Sequence, residues 1–394
     1  MMRDLEAERL KKFFLKNNYK LTCDKNEAYY RIIVTCSLND EKIDASMQAI
    51  SNSESFNGIT FVTGCLPSME PNRFLVNEKI ILIPIKELHH IEKYFEDIVF
   101  RYIDVEDTNF YREKNIIGRN EGDSLKNIVS GFELNKRYFI KFVRRLRAFL
   151  SKKINKKIYT EKATIRISTG CLSNCSFCGI KFGIGSLKSK PLNKIFQEYK
   201  SLTDSGYRNI FLLGDDTGAY GIDVKSSFPE LLCELYKINS KNRIRWYFQD
   251  LSPYWAKKYM NEILFYVHRK CFYELLLSVQ SGSDRILKLM KRNYSATDIM
   301  LILNNFKNAN SYLRLLGNFI VGFPSETEDD FKLTLKLCQD FKFDFIYIMP
   351  YYENSVCDSR NIYPKVSKSE LDERLRSFEI LLKNQKTDYR ITPL

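Results

Sequence analysis

From residue 161 onward, short apolar runs alternate with stretches of helical spacing, and few folds accommodate that rhythm. The runs are "KATIRIS" (162–168), "NIFLLG" (209–214), "RIRWYF" (243–248), "YELLLSVQ" (273–280), "LLGNFIVGF" (315–323) and "FDFIYIMP" (343–350). Between them lie amphipathic stretches, among them one starting near residue 191 and one over 226–238. Strands this apolar need cover on both faces, which a parallel sheet wrapped by its own crossover helices provides. Six βα units predict an incomplete, (βα)6-type TIM-like barrel over residues 161–394.

Residues 1–112 repeat the rhythm on a smaller scale. "LEAERLKKFFLKNN" (5–18) has helical spacing, and "YYRIIVTC" (29–36), "GITFVTGC" (58–65) and "KIILIPIKEL" (79–88) read as buried strands. A separate flavodoxin-like open α/β domain is expected there. Residues 113–160 read as a connector: "RNEGDSLKN" (119–127) as loop, then "ELNKRYFIKFVRRLRAFLSKKINKK" (133–157) as one helix. Its apolar positions Phe139, Phe142, Val143, Leu146, Phe149 and Leu150 share a face, and Lys and Arg fill the rest. Two readings fit, a helix packed on a domain with a solvated back and an element that contacts phosphates.

No apolar run reaches the ~20 residues of a membrane span. The opening "MMRDLEAERLKKFF" carries charge throughout and lacks a signal-peptide core, so a cytoplasmic protein with no membrane partner is expected. Lys and Arg exceed Asp and Glu by 14, which fits an anionic partner such as RNA and equally a lysine-rich background. In a reducing compartment the 10 cysteines stay thiols, and closely spaced ones then point to metal rather than disulfides.

Three of them stand at Cys171, Cys175 and Cys178 in "STGCLSNCSFCGI" (168–180), directly after the first barrel strand. Barrel enzymes place their chemistry on loops after strands, so this loop opens toward the active face. Structural zinc wants a fourth protein ligand, and no matching cysteine pair lies nearby. Three thiolates on a four-iron cluster leave one iron free to bind substrate or cofactor. The small residues Gly170, Ser173, Asn174, Ser176 and Gly179 let the backbone wrap closely and aim N–H groups at sulfides.

CxxxCxxC after the first strand of a partial barrel resembles the signature of the radical S-adenosylmethionine (SAM) superfamily. Further segments resemble its methylthiotransferases, which modify tRNA adenosine or a ribosomal-protein aspartate: "LLGDDTGAYGID" (212–223), "SVQSGSDRILKLMKRNYS" (278–295) and "NFIVGFPSETEDDF" (318–331). "IIVTCSLNDEKIDASMQAI" (32–50) and "ITFVTGCLPSMEP" (59–71) resemble that family's leading domain, so the likeness covers all but the connector. It implies a [4Fe-4S] cluster on Cys171, Cys175 and Cys178 whose free iron chelates SAM. Reductive cleavage to a 5′-deoxyadenosyl radical would follow, with electrons from a donor such as flavodoxin or ferredoxin. The radical would take a hydrogen from an unactivated C–H bond of a tRNA, peptide or protein substrate.

By position, the likeness assigns Gly214, Asp215 and Asp216 to the SAM amino group and Ser278 and Gln280 to its ribose and methionine parts. It sets Val321, Gly322, Phe323 and Pro324 beside the adenine. Read alone, the Gly-Asp pair is also a helix entry and "GFP" also a turn. Tyr220, Tyr351 and Tyr352 are candidates for the cavity wall, with core packing as the alternative.

The family's leading domain holds a second [4Fe-4S] cluster, the source of the sulfur, on three cysteines. Cys36 and Cys65 match two of them, each at the end of an expected parallel strand, where ligands gather in open α/β sheets. The register of "LEAERLKKFF" sets the third just before Met1; a chain begun at an internal methionine and a divergent two-cysteine site are both consistent, and Cys23 is a substitute candidate. The family's RNA-binding β-barrel has no counterpart before the final "NQKTDYRITPL", which leaves RNA and polypeptide substrates both open. Two alternatives accompany methylthio transfer: a radical SAM peptide maturase or epimerase, and a non-catalytic RNA-binding paralogue.

Overall fold

The computed structural model describes residues 2–22, 28–37, 40–52, 56–74, 78–107 and 162–392. The connector with its expected helix over 133–157, and Cys23, lie outside the described residues.

In the leading domain, α1 (Met2–Lys16), β1 (Tyr30–Thr35), α2 (Asp40–Ser51), β2 (Ile59–Gly64), α3 (Leu66–Met69) and β3 (Ile80–Leu82) follow in order. Their strands form a parallel sheet, β1-β2-β3, with Ile32 opposite Phe61 and Phe61 opposite Ile81. Neighbouring residues on a strand point to opposite faces, so Phe61 packs with Leu10, Phe13 and Ile91, while Val62 packs with Ile43 and Leu66. Both faces of the central β2 are covered, whereas β1, expected to be buried, is an edge strand that is only half-buried, with Tyr29 and Tyr30 exposed and Thr35 alone fully buried. The third strand is shorter than its apolar run: Pro84 lacks an N–H, and a 3-10 coil over Ile85–Tyr94 takes over.

The second domain contains β4 (Lys162–Arg166), β5 (Ser168–Thr169), α4 (Ile180–Gly183), β6 (Lys188–Ser189), β7 (Asn209–Leu213), β8 (Arg245–Leu251), β9 (Phe272–Gln280), β10 (Arg314–Val321), β11 (Phe345–Pro350) and β12 (Asp388–Ile391). Seven of these form one parallel sheet in the order β12-β11-β10-β9-β8-β7-β4, with helices on the connections. The six expected strands are present. β12 is a seventh, half-exposed at the open edge, where four residues of mixed polarity give little sequence signal. The pair β5–β6 is an antiparallel clasp of two residues on each side, too short to register as a strand pattern.

Ala163, Ile165 and Ile167 face the helix layer with Ile195 and Tyr199, and the buried Trp246 indole N–H donates to the Tyr199 hydroxyl at 2.7 Å. Reciprocal caps start the helices at Ser295/Asp298, Thr327/Asp330 and Ser367/Glu370.

The alternate residues of these strands face the concave side, and there the leading domain enters. Leu5 of α1 packs with Phe211, Leu213 and Tyr247. Beside it Arg166, 4% exposed, donates to Glu6 Oε2 at 2.6 Å and pairs with Asp107. Asp107 also meets Lys190 at 2.9 Å. Burial opposes ionisation of Asp107, yet Arg166 and Lys190 hold its carboxyl well below the usual carboxylate range. A buried guanidinium with two carboxylates joins α1 to the first barrel strand.

Arg166→Leu takes the guanidinium from the buried Glu6 and leaves Asp107 to Lys190, so a stability loss of about 3–5 kcal/mol is expected from the urea midpoint. The Asp107 contribution is present above its unfolded value of about 3.9 and fades on acidification, so the wild-type advantage narrows at low pH. A midpoint unchanged at neutral pH would contradict the interdomain pairing.

Candidate active site

The cysteine loop springs from the end of β4 and is closed by the β5–β6 clasp. Gly170 turns it with φ +73; a Cβ there would stand 2.2 Å from Ser186 O, so only glycine fits. The Gly170 N–H donates to Asp215 Oδ2 at 2.8 Å, and the Cys171 N–H to Gly185 O at 3.3 Å. The far end is tied down by Ser176, whose N–H donates to Met290 O at 3.2 Å and whose hydroxyl donates to Leu289 O at 2.8 Å.

The three thiols differ in surroundings. Cys171 Sγ accepts from the Ser173 N–H at 3.3 Å and lies 3.7 Å from Asp216 Oδ2. Cys175 Sγ accepts from Arg292 Nη1 at 3.2 Å. Cys175 and Cys178 line a cavity of about 250 Å³ with Ser173, Asn174, Lys181, Phe182, Lys291 and Asp358. Burial pushes the Cys178 thiol up to about 12, and burial with the nearby Asp216 charge pushes Cys171 up to about 11. Both are neutral thiols at pH 7, so a metal must displace their protons to bind. Among the described residues, no three His, Cys, Asp or Glu side chains converge on a single ion.

The residues expected around SAM distribute unevenly. Gly214 approaches the loop so closely that a Cβ would stand 2.6 Å from Ser168 Oγ. Asp215 anchors the cysteine loop through Gly170, and Asp216 is buried against it. Asp216 Oδ2 accepts from Trp255 Nε1 at 3.1 Å; its Oδ1 has no partner, and burial raises its carboxyl. Ser278 O accepts from the Tyr294 hydroxyl at 2.8 Å. Gln280 is buried in the left-handed region at φ +74 with Oε1 unpartnered, a strained backbone at a strand end.

Gly322, at φ +81, donates its N–H to Glu326 Oε2 at 2.8 Å, and Arg374 Nη1 holds the same oxygen at 3.0 Å. Phe323 is buried, with its ring 6.5 Å from that of Phe177 inside the cysteine loop. Pro324 is buried beside it, while the Val321 side chain joins the helix-facing core, so only its backbone borders the mouth. Of the three tyrosines, Tyr220 is buried and donates to Lys190 O at 2.9 Å, Tyr351 donates to Ser359 Oγ at 2.8 Å, and Tyr352 packs on the leading domain's core.

Sequence reasoning missed Arg292, Trp255 and Asp250. Arg292 lies between the rings of Phe177 and Tyr294, each 5.7 Å away, and its Nε has no partner. Asp250 sits in the left-handed region at the end of β8, and burial with the charges of Asp215 and Asp216 pushes it up to about 7. "QDLSP" (249–253) and "MKRNY" (290–294) resemble ordinary turns, and only the fold brings them to the cysteines.

Cys36 and Cys65 follow β1 and β2, both half-buried. Their loops are tied together: the Thr35 hydroxyl donates to Thr63 O at 2.6 Å, and the Cys65 N–H donates to Thr35 O at 3.4 Å. Cys65 also abuts α4, since a Cβ at Gly183 would stand 3.3 Å from Cys65 Cβ. Cys65 thus meets the helix that follows Cys178 across the domain boundary.

Residues 165–338 match the Radical SAM superfamily, and residues 1–83 match Uncharacterized protein family UPF0004. A tRNA-2-methylthio-N(6)-dimethylallyladenosine synthase of Clostridium tetani is 28% identical over 95% of this chain and 77% of its own length. A probable threonylcarbamoyladenosine tRNA methylthiotransferase of Methanocaldococcus jannaschii is 27% identical over 97% of this chain and 82% of its own. Its namesake from Archaeoglobus fulgidus reaches 36%, over 48% of this chain and 45% of its own length, so that match spans less than half of the relative. Among solved structures, the radical SAM methyltransferase TsrM of Kitasatospora setae superposes with TM-score 0.57 at 11% identity, over 85% of this chain and 67% of its own. The cobalamin-dependent enzyme OxsB gives 0.51 at 12%, over 96% and 50%. At those identities the likeness speaks for fold alone. Among the described residues, no helix is long and apolar enough to cross a membrane.

Asp250 supplies a test of the acidic mouth. Its folded carboxyl holds a proton up to about pH 7 whereas the unfolded one releases it near 3.9, so stability falls as pH rises between those values. In cluster-free protein, Asp250→Asn should gain stability relative to wild type across that window and level off above it, read from denaturant midpoints at a series of pH values. A gain independent of pH would contradict the burial and crowding of this carboxyl.

Proposed function

The chain belongs to the radical SAM methylthiotransferase family, and we propose that it inserts a methylthio group at an unactivated C–H bond of an N6-modified adenosine in tRNA. The observation that supports the reading is the contact of Cys65 with α4, the helix after Cys178, which would bring a sulfur source near a radical source. The substrate class rests on the relatives, whose names specify tRNA adenosines carrying dimethylallyl or threonylcarbamoyl groups.

The donor set suits the groups the family uses, a [4Fe-4S] cluster and SAM. Three thiols on one loop, with N–H donors from Ser173 and Arg292 on two of the sulfurs, match the surroundings iron–sulfur clusters need. Bound there, the cluster and SAM supply one-electron cleavage to a radical that abstracts hydrogen from carbon. The protein's part is to bind and orient. Asp216 Oδ1 and Gln280 Oε1 are buried acceptors ready for an ammonium group and hydroxyls, and Arg292 Nε–H is a donor ready for a carboxylate. Gly214 lets Ser168 pack close at the base of the cysteine loop, and Asp215 stiffens the loop that would carry the cluster. Gly322 and the buried Phe323 and Pro324 form the opposite wall, which excludes water from the radical. Cys36 and Cys65 would supply two of the three protein ligands of the second [4Fe-4S] cluster, and a carrier such as flavodoxin or ferredoxin would bring the electrons.

Anaerobic reconstitution tests the assignment. Wild type should show brown charge-transfer absorbance and form 5′-deoxyadenosine from SAM with dithionite. Alanine at Cys171, Cys175 or Cys178 should abolish that product. Alanine at both Cys36 and Cys65 should retain 5′-deoxyadenosine and lose methylthioadenosine, measured by nucleoside mass spectrometry of tRNA. A peptide maturase would keep its activity in that double variant, and a non-catalytic RNA-binding protein would make no 5′-deoxyadenosine at all.

A further inference from the structure

Where the two cysteine sites meet, one methionine side chain occupies the seam. Met69 closes α3, four positions beyond Cys65, and is 5% exposed. A Cβ at Gly179 would stand 2.1 Å from Met69 Cε. At Gly183 it would stand 3.1 Å from Met69 Sδ. Gly179 has φ −81 and ψ −4, a conformation any residue adopts, so its bare Cα provides room rather than backbone freedom. Four positions apart on α4, the two glycines share a face and cut a notch in the helix that leaves Cys178. Met69 fills the notch.

Both sites grip this side chain. The Ser37 hydroxyl, next to Cys36, donates to Met69 Sδ at 3.0 Å. From the other domain, the segment after β11 wraps the seam: the Ser355 hydroxyl donates to Glu70 Oε1 at 2.9 Å, and the Ser359 N–H donates to Ser176 O at 2.8 Å inside the cysteine loop. One thioether, carried by the short helix after Cys65, thus touches the residue after Cys36 and the helix after Cys178. An unbranched, adaptable chain suits a slot between two bare Cα atoms.

We propose that Met69, seated in the Gly179/Gly183 notch, is the positioning residue that sets the gap between the Cys36/Cys65 site and the Cys171/Cys175/Cys178 site. The inference rests on the methylthio-transfer reading of the chain. In that reading a substrate carbon radical, formed at one site, must meet sulfur held at the other before a stray hydrogen donor quenches it. Reactions of that kind lose on the order of 100-fold for a displacement of about 1 Å. SAM cleavage happens wholly at one site and is insensitive to the gap. Met69 therefore governs coupling, the methylthio product formed per 5′-deoxyadenosine.

Two measurements test it. In cluster-free protein, Gly183→Cys places a thiol whose Cβ is 3.3 Å from Cys65 Cβ, next to the disulfide range of about 3.5–4.5 Å. Mild oxidation should join it to Cys65, identified by peptide mass spectrometry without reduction; absence of that pair overturns the apposition. In reconstituted enzyme, Met69→Ala should form 5′-deoxyadenosine within about twofold of wild type while product per 5′-deoxyadenosine falls at least about tenfold. Met69→Leu, which refills the notch, should restore the ratio. A ratio unchanged in Met69→Ala, or a parallel loss of both products that Met69→Leu does not repair, overturns the role. A wild-type enzyme that makes 5′-deoxyadenosine but no methylthioadenosine overturns the functional reading and the coupling role with it, and the cross-link then reports the contact alone.

Discussion

A guanidinium cannot sit inside a protein without partners, and Arg166 is buried on the first strand of the barrel. Its partners come from elsewhere: Glu6 from α1 and Asp107 from the end of the leading domain's described chain. That requirement joins the two domains at the strand that launches the cysteine loop five residues later. Lys190, which shares Asp107, stands just past the clasp that closes the same loop. The ion cluster thus holds both ends of the loop's base and the helix of the neighbouring domain in one arrangement. A buried cluster of this kind is a weak source of net stability but a strong constraint on alternatives, because each wrong docking leaves a charge unpaired.

The close contact of the cysteine sites depends on that docking. With α1 fixed against the concave face of β7 and β8, the end of β2 carries Cys65 to α4. Parallel sheets gather their loops at one end, so two such sheets can face each other loop to loop. Here the meeting is close enough that Gly179 and Gly183 have no space for even a methyl group without displacing Met69.

Much of this was legible in the sequence, for stated physical reasons. The barrel strands are long apolar runs because both faces are covered, and those runs stand out. The edge strand β12 is half-exposed and mixed in polarity, and the clasp β5–β6 is two residues deep, so neither carries a period. Pro84 shortened the third strand of the leading domain, a stop that its apolar neighbours Ile83 and Ile85 mask. The cysteines were legible because their spacing is itself the signal. Arg292 was not: its function comes from a location beneath Cys175, which the chain reaches by a turn 117 residues away. For Val321, strand alternation turns the side chain to the helices, while Ile320 and Phe323 pack beside the cysteine loop.

The electrostatics of the mouth follow from the same crowding. Asp215, Asp216 and Asp250 converge there with Arg292, and burial together with repulsion from its two neighbours raises the carboxyl of Asp250. Without ligand the region is frustrated: buried acceptors on Asp216 and Gln280 and the Nε of Arg292 have no partners, and Cys171 and Cys178 hold their protons. A ligand carrying both an ammonium group and a carboxylate relieves the acceptors and the donor together. Metal at the thiols would remove their protons, and three thiolates on a four-iron core would leave net negative charge beside the crowded carboxylates. An ammonium group bound there would offset that negative charge, so each should raise affinity for the other, and a site of this composition favours the doubly loaded state over either half-filled one.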